Sequence, residues 1–198
     1  MNTVYVICMR ETRGSTYPSI VKVYRQRYDR MATAEYKQEL SNYTKAVLHD
    51  PIKGLDWKQL LDWEHRHFVY TRGELPKPRA EMPIDIILQA KGMCGEFALL
   101  YNGLLLANGY RSRIVIDCST LKDKSKRVAG DHVWNEILTD GAWTHVDPTE
   151  KRINQPSMYA LEWHKDVNLV YAIEEKEILD VTENYRSKSN ARLQPHQQ

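Results

Sequence analysis

The sequence predicts an α+β domain, with helices leading and antiparallel strands following. Three observations carry that reading. Apolar residues recur at three- and four-residue spacing in segments up to Ala107, and at two-residue spacing from Arg111 onward. Thr139-Asp140-Gly141 separates two β-rich runs in the manner of a hairpin turn. The chain has 198 residues, 42% hydrophobic and 27% charged, which fits one globular domain with additions. Collagen-like and wholly disordered classes are thereby excluded.

Residues 3–9 alternate weakly and read as a strand. From Tyr17 to Leu48 helical spacing dominates, with Tyr36, Leu40, Tyr43 and Val47 on one face. Asp50-Pro51 ends that helix, because the residue before a proline is pushed out of the helical region. Asp56 and Gln59 have the separation of a capping box and open a helix running to about Tyr70. Pro76, Pro78 and Pro83 mark residues 71–83 as a surface loop. Pro83 also suits the first turn of a short helix that stops at Gly92. A further helix runs from Cys94 to Ala107, with Phe97, Ala98, Tyr101, Leu104 and Leu105 as its apolar stripe and Asn108-Gly109 as its end.

Arg111–Cys118 is rich in β-branched residues and reads as a strand, followed by a polar loop over 119–130. Asp131–Leu138 and Ala142–Asp147 pair as a hairpin, and Val167–Ile173 and Ile178–Val181 are two more strands. After Arg186 the composition is that of a disordered polar tail. The expected organisation is an N-terminal helical and strand extension over 1–54, packed on a core spanning 55–186, with a tail over 187–198.

Composition narrows the function. Lys plus Arg is 28 and Asp plus Glu is 26, a net charge of +2 that calls for no nucleic-acid partner and no membrane partner. Six basic and two acidic residues in the first 30 read as a solvated face. No run approaches the ~20 apolar residues of a membrane span, and the run Val4–Met9 has no basic region before it, so it is not read as a signal peptide. The cysteines are Cys8, Cys94 and Cys118, odd in number, widely spaced and without a CxxC pair. That argues against a disulfide framework or a zinc knuckle and for a reducing cytoplasm. No cofactor and no metal is expected.

One cysteine has a context suited to chemistry. Gly92-Met93-Cys94-Gly95-Glu96 places a thiol at the start of a helix, between glycines that leave room for a substrate. A helix N-terminus carries about half a positive charge, which favours a thiolate. The Cys94 N–H points where an oxyanion would form. A thiolate needs a base and an orienter. His132 lies early in the first hairpin strand and Asp147 late in the second. If the loop spans Leu138–Gly141, the two sit directly opposite. If Asp140-Gly141 is a two-residue turn, Asp147 faces Trp134 and His132 lies diagonal to it at roughly 7–8 Å. His145 shares the Asp147 face and is a rival base, read instead as a half-buried strand residue. Cys8 and Cys118 lie in β-rich runs and read as inert. Trp143 reads as a core aromatic, and helix-dipole stabilisation accounts for Glu96.

These segments resemble a known family. Gly92–Leu106, Gly130–Glu136 and Trp143–Glu150 are similar to the three motifs of the transglutaminase-like cysteine enzymes, in Cys, His, Asp order. With Val170-Tyr-Ala-Ile173, Asp180-Val-Thr182 and Tyr185, the likeness is nearest to peptide:N-glycanase cores, over about residues 55–186. The resemblance implies a papain-like α+β core, its nucleophile helix packed on an antiparallel sheet. It implies Cys94 as nucleophile, His132 as general base and acid, and Asp147 as orienter. Trp134 and Glu136, on the His132 face by alternation, would bind substrate beside the groove. The expected reaction is attack on an amide carbonyl through a thioester. Water as acceptor makes an amidase, peptidase or glycanase, and an amine makes a transglutaminase. The substrate would be a protein or peptide, glycosylated or not. A catalytically silent protein-binding module is the non-enzyme alternative. Trp57, Trp63 and Gln89 are candidate second oxyanion donors. Met93 stands where glycanases commonly carry Arg, and the paired CxxC motifs of the eukaryotic glycanases are missing.

Overall fold

The computed structural model describes residues 17–71, 79–119, 132–154 and 168–185. The strand expected at 3–9, nearly all of the 119–130 loop and the tail lie outside the described residues. No helix among those described is long and apolar enough to cross a membrane.

The helical spacing from Tyr17 to Leu48 resolves into two helices, α1 (Ser19–Met31) and α2 (Ala34–Ala46). The break comes at Thr33, whose extended backbone ends one helix and whose side chain accepts from the Tyr36 N–H to open the next. Tyr36, Leu40 and Thr44 form the buried face of α2, while Val47 is its exposed C-cap. Helix α3 (Trp57–His67) opens on the expected capping box of Asp56 and Gln59. It ends sooner than its periodicity suggests, because Phe68 turns extended and buries its ring. Val69–Tyr70 (β1) then pairs in parallel with Lys91–Gly92 (β2), on either side of α4 (Pro83–Gln89). Helix α4 stops at Ala90, which adopts the left-handed conformation, rather than at Gly92.

Helix α5 (Cys94–Ala107) is the centre of the molecule. Every residue from Gly95 to Leu106 is buried, so the expected five-residue stripe is instead a full circumference. Helices α2, α3 and α4 pack on one side and strands of the sheet on the other. Gly103 permits the close approach of α4, since a Cβ there would lie 2.5 Å from Pro83 Cγ. Each leucine buried in α5 contributes about 1.5–3 kcal/mol.

The sheet contains β3 (Ser112–Ser119), β4 (Val133–Thr139), β5 (Ala142–Asp147), β6 (Arg152–Ile153), β7 (Asn168–Glu174) and β8 (Glu177–Asp180). Its order is β6-β5-β4-β3-β7-β8, antiparallel throughout. The short β6 has no counterpart in the sequence reading. Asp140 and Gly141 both have positive φ, 51° and 78°, as a two-residue type I′ turn requires. Asn135 therefore pairs with Val146 and Glu136 with His145, the second of the two registers considered.

Alternation along the strands separates two cores. Ile114, Ile116, Val133, Ile137, Val146 and Ile173 join α5 in the larger one. Val115, Trp134, Val170, Ala172 and Leu179 form the smaller one with Val181 and Tyr185. A helical turn at residues 182–185 carries Tyr185 onto Trp134. Helix α1 packs on the same face of the sheet as α5, against β7 and β3. Tyr28 Oη donates to the Ser112 carbonyl at 2.8 Å and Arg25 donates to the Glu174 carbonyl at 3.0 Å.

Candidate active site

Two side-chain hydrogen bonds set the position of the thiol. Asn135 Nδ2 on β4 donates to the Ala98 carbonyl at 3.1 Å. Ser112 Oγ, on the residue paired with Ile137, donates to Asn102 Oδ1 at 2.9 Å. Helix α5 therefore runs in the direction of β4. One turn before Ala98, Cys94 comes level with the start of β4, where His132 lies. The His132 carbonyl accepts from the Asp117 N–H at 2.9 Å, which extends the β3–β4 ladder by one residue.

Cys94, His132 and Asp147 converge there. Cys94 is the first residue of α5 and is partly exposed. His132 is buried, with Nε2 2.6 Å from Asp147 Oδ2 and a hydrogen bond to Cys94. With Nε2 turned to Asp147, Nδ1 is the nitrogen left for the thiol. The diagonal register does not prevent the bond, because the two side chains lean together across the twisted pair. Burial works against charge on His132, but the hydrogen bonds to Asp147 and Cys94 outweigh it and push its pKa up to about 10.

Asp147 is fully buried, and its Oδ1 accepts from the Thr149 N–H at 3.0 Å in the turn after β5. Helix α3 braces that turn: His65 Nε2 donates to the Pro148 carbonyl at 2.7 Å, and its ring lies 5.5 Å from Phe97 on α5. At the mouth of α5, the Met93 N–H donates to Glu96 Oε2 at 3.0 Å, and Arg79 donates to Glu96 Oε1.

Trp134 and Glu136 correct an expectation. Both lie on the His132 face, but neither offers surface to a substrate. Trp134 is fully buried, with its ring 5.7 Å from that of His132 and nearly parallel to it at 23°. Its Nε1 donates to Tyr185 Oη at 3.0 Å. Glu136 is also buried, accepting from Arg113 Nε at 2.6 Å and from Tyr185 Oη. The physical reason is that the turn at 182–185 lays Tyr185 over this face, a long-range contact that strand alternation does not reveal. Trp134 supports His132 from beneath, and Glu136 holds the Tyr185 that caps Trp134. His145 packs its buried ring 5.7 Å from Trp134, and Cys118 belongs to the larger core. Trp143 is half-buried, with the Arg113 guanidinium 4.1 Å from its ring centre.

Two of the candidate oxyanion donors are committed elsewhere. Trp63 Nε1 donates to the Asp50 carbonyl at 2.9 Å and Gln89 Nε2 to the Lys91 carbonyl at 2.6 Å. Trp57 carries the Lys58 ammonium over its ring at 5.1 Å. Sequence reasoning overlooked Arg113 and weighed His65 only as a metal ligand, missing its hold on the turn after β5. The signal for Arg113 was a charge inside a β-branched run, which the β3–β4 register sets opposite Glu136. Among the described residues, no cluster of His, Cys, Asp or Glu could hold a metal ion.

Residues 40–148 match the transglutaminase-like superfamily, more than half of the chain. The chain belongs to that superfamily. Curated relatives sharpen the placement within these transglutaminase-like proteins. A peptide-N(4)-(N-acetyl-beta-glucosaminyl)asparagine amidase of Arabidopsis thaliana is 33% identical over 113 residues, covering 56% of this chain and 14% of that protein. The protein of the same name from Saccharomyces cerevisiae is 30% identical over 110 residues, covering 54% of this chain and 27% of that one. The chain thus matches less than a third of the length of either relative. In fold, it superposes on a crystal structure of Rad4-Rad23 bound to a 6-4 photoproduct UV lesion with a TM-score of 0.59. Identity there is 15%, with 87% of this chain and 48% of the other covered, so the likeness is one of fold.

Proposed function

We propose that this transglutaminase-like chain is a cysteine amidase, with Cys94 as nucleophile, His132 as general base and acid, and Asp147 as the group that orients His132. The observation that carries the proposal is a partly exposed thiol opening α5, hydrogen-bonded to a histidine that a buried aspartate holds at 2.6 Å. Cys94 Sγ attacks an amide carbonyl, and His132 delivers a proton to the leaving nitrogen as the C–N bond breaks. A thioester remains, and His132 then takes a proton from water to hydrolyse it. Asp147 keeps the imidazole in the tautomer and orientation both steps need. The names of the relatives favour a side-chain carboxamide as target, in the form of glycosylated asparagine. A backbone peptide bond and a glutamine side chain are the competing substrates.

Mass spectrometry of a denatured glycoprotein and an unglycosylated peptide mixture after incubation separates these readings. Conversion of glycosylated Asn to Asp is the expected outcome, abolished by Cys94→Ala. Backbone cleavage would make the chain a peptidase, and amine-dependent crosslinks a transglutaminase. A Cys94 no more reactive toward iodoacetamide below pH 8 than a free thiol would instead leave a silent binding module.

A further inference from the structure

We propose that the Tyr24 hydroxyl is the second hydrogen-bond donor to the oxyanion formed at Cys94, so that the N-terminal helix α1 supplies part of the site. This rests on Cys94 being the nucleophile. Tyr24 is 6% exposed and reaches the first turn of α5 from the side of α1. A Cβ on Gly95, the residue after the thiol, would lie only 2.2 Å from Tyr24 Oη. Any side chain at position 95 would therefore fill the volume that the hydroxyl occupies, which gives that glycine a physical role.

The second observation is what the hydroxyl leaves undone. Tyr28, Tyr101 and Tyr185 all donate from their hydroxyls, to the Ser112 carbonyl, the Trp57 carbonyl and Glu136. Tyr24 Oη has no hydrogen-bond partner among the described residues. A phenol that is largely withdrawn from water without a partner costs stability, and this one stands beside the first turn of a 14-residue helix. The N–H groups of that turn lack intrahelical acceptors. Burial, with the negative groups of Cys94 and Glu96 nearby, raises the Tyr24 pKa above its usual value, so the hydroxyl keeps its proton. Trp63 has its one side-chain donor engaged elsewhere, and Gln89 Nε2 donates to the Lys91 carbonyl.

In the step itself, the Sγ–C bond forms and the carbonyl π pair moves onto oxygen. The Cys94 N–H and Tyr24 Oη–H hydrogen-bond to that oxygen without transferring a proton. Collapse restores the carbonyl and breaks the C–N bond, and the leaving nitrogen takes its proton from His132.

Two thiol reagents isolate this role. p-Nitrophenyl acetate acylates Cys94 through a tetrahedral oxyanion, whereas iodoacetamide alkylates it at a saturated carbon with no oxyanion. Both rates are read on the Cys94 peptide by mass spectrometry. Tyr24→Phe should slow acylation by about 10²–10³-fold while alkylation stays within about twofold. Gly95→Ala, whose methyl displaces the hydroxyl, should show the same selective loss with the tyrosine still present, and it carries the test if Tyr24→Phe fails to fold. Unchanged acylation, or a parallel fall in both rates, would overturn the proposal while leaving Cys94 as nucleophile. A Cys94 inert to both reagents in the unaltered chain would remove the nucleophile and this proposal with it.

Discussion

The two faces of the sheet differ in how much buried charge they carry around the β4–β5 hairpin. Toward α5 the buried residues are Ile114, Ile116, Val133, Ile137, Val146 and Ile173, with Asn135 and Ser112 as hydrogen-bonding points. On the other face lie Arg113, His132, Trp134, Glu136, His145 and Asp147, closed over by Tyr185. The apolar face decides where α5 lies, and with it Cys94. The polar face decides where His132 points. An apolar core tolerates volume-conserving exchange at less than ~1.5 kcal/mol. A buried polar network fails when one member is lost, because its partner stays buried and unsatisfied.

The sharpest way to break this contrast is Asp147→Asn. Turnover should fall by about 10⁴-fold, with the fold retained, since Asn keeps the shape but offers His132 a weaker and differently oriented partner. The same pair predicts a pH effect. His132 is raised from 6.5 to about 10 in the folded state. Its contribution to stability is therefore complete below pH 6.5 and lost as pH rises through about 10. Thermal melts across that window should show an alkaline decline in Tm that Asp147→Asn flattens. An equally steep decline in the variant would place its origin elsewhere.

Next in size is a paired comparison across the sheet. Trp134→Ala should cost about 3–5 kcal/mol in denaturant unfolding, and Ile137→Val on the opposite face about 0.5–1.5 kcal/mol. Trp134→Ala should also lower kcat at temperatures where the variant remains folded, because His132 loses the ring beneath it. Retained kcat would mean that Trp134 serves packing alone.

A smaller effect than the loss of Trp134 tests the apolar side, where one carboxyl is out of place. Glu64 on α3 is fully buried, and neither of its oxygens has a hydrogen-bond partner among the described residues. Burial holds its carboxyl well above the usual carboxylate range. A carboxyl raised in this way favours the folded state in acid, and that advantage fades as pH climbs above its unfolded value. Glu64→Met should accordingly stabilise the protein by about 1–3 kcal/mol, more at pH 8 than at pH 5. A loss at both pH values would show that the carboxyl has a partner worth keeping.

Much of the site could be read in the sequence because its parts are local. Cys94 opens its helix, Asp140-Gly141 turns the hairpin, and the Asp56–Gln59 box starts α3, each over a few residues. The roles of Trp134 and Glu136 could not be read this way, since they depend on Tyr185 arriving from 51 and 49 residues away. The break at Thr33 was visible as an N-cap residue, but continuous helical spacing on both sides masked it. Only the turn geometry settled the hairpin register, and the side chains of His132 and Asp147 spanned the diagonal it left.

The family match begins at residue 40, whereas α1 begins at Ser19. Homology and folding therefore draw different borders on this chain. A fragment trimmed to the matched segment would lose Val21, Tyr24, Tyr28 and Met31, all buried against the rest of the protein. It would uncover the first turn of α5 and the β3–β7 part of the sheet together. The matched segment is thus a unit of ancestry here rather than a unit that stands alone, and Tyr24, ahead of it in the chain, reaches the first turn of its central helix.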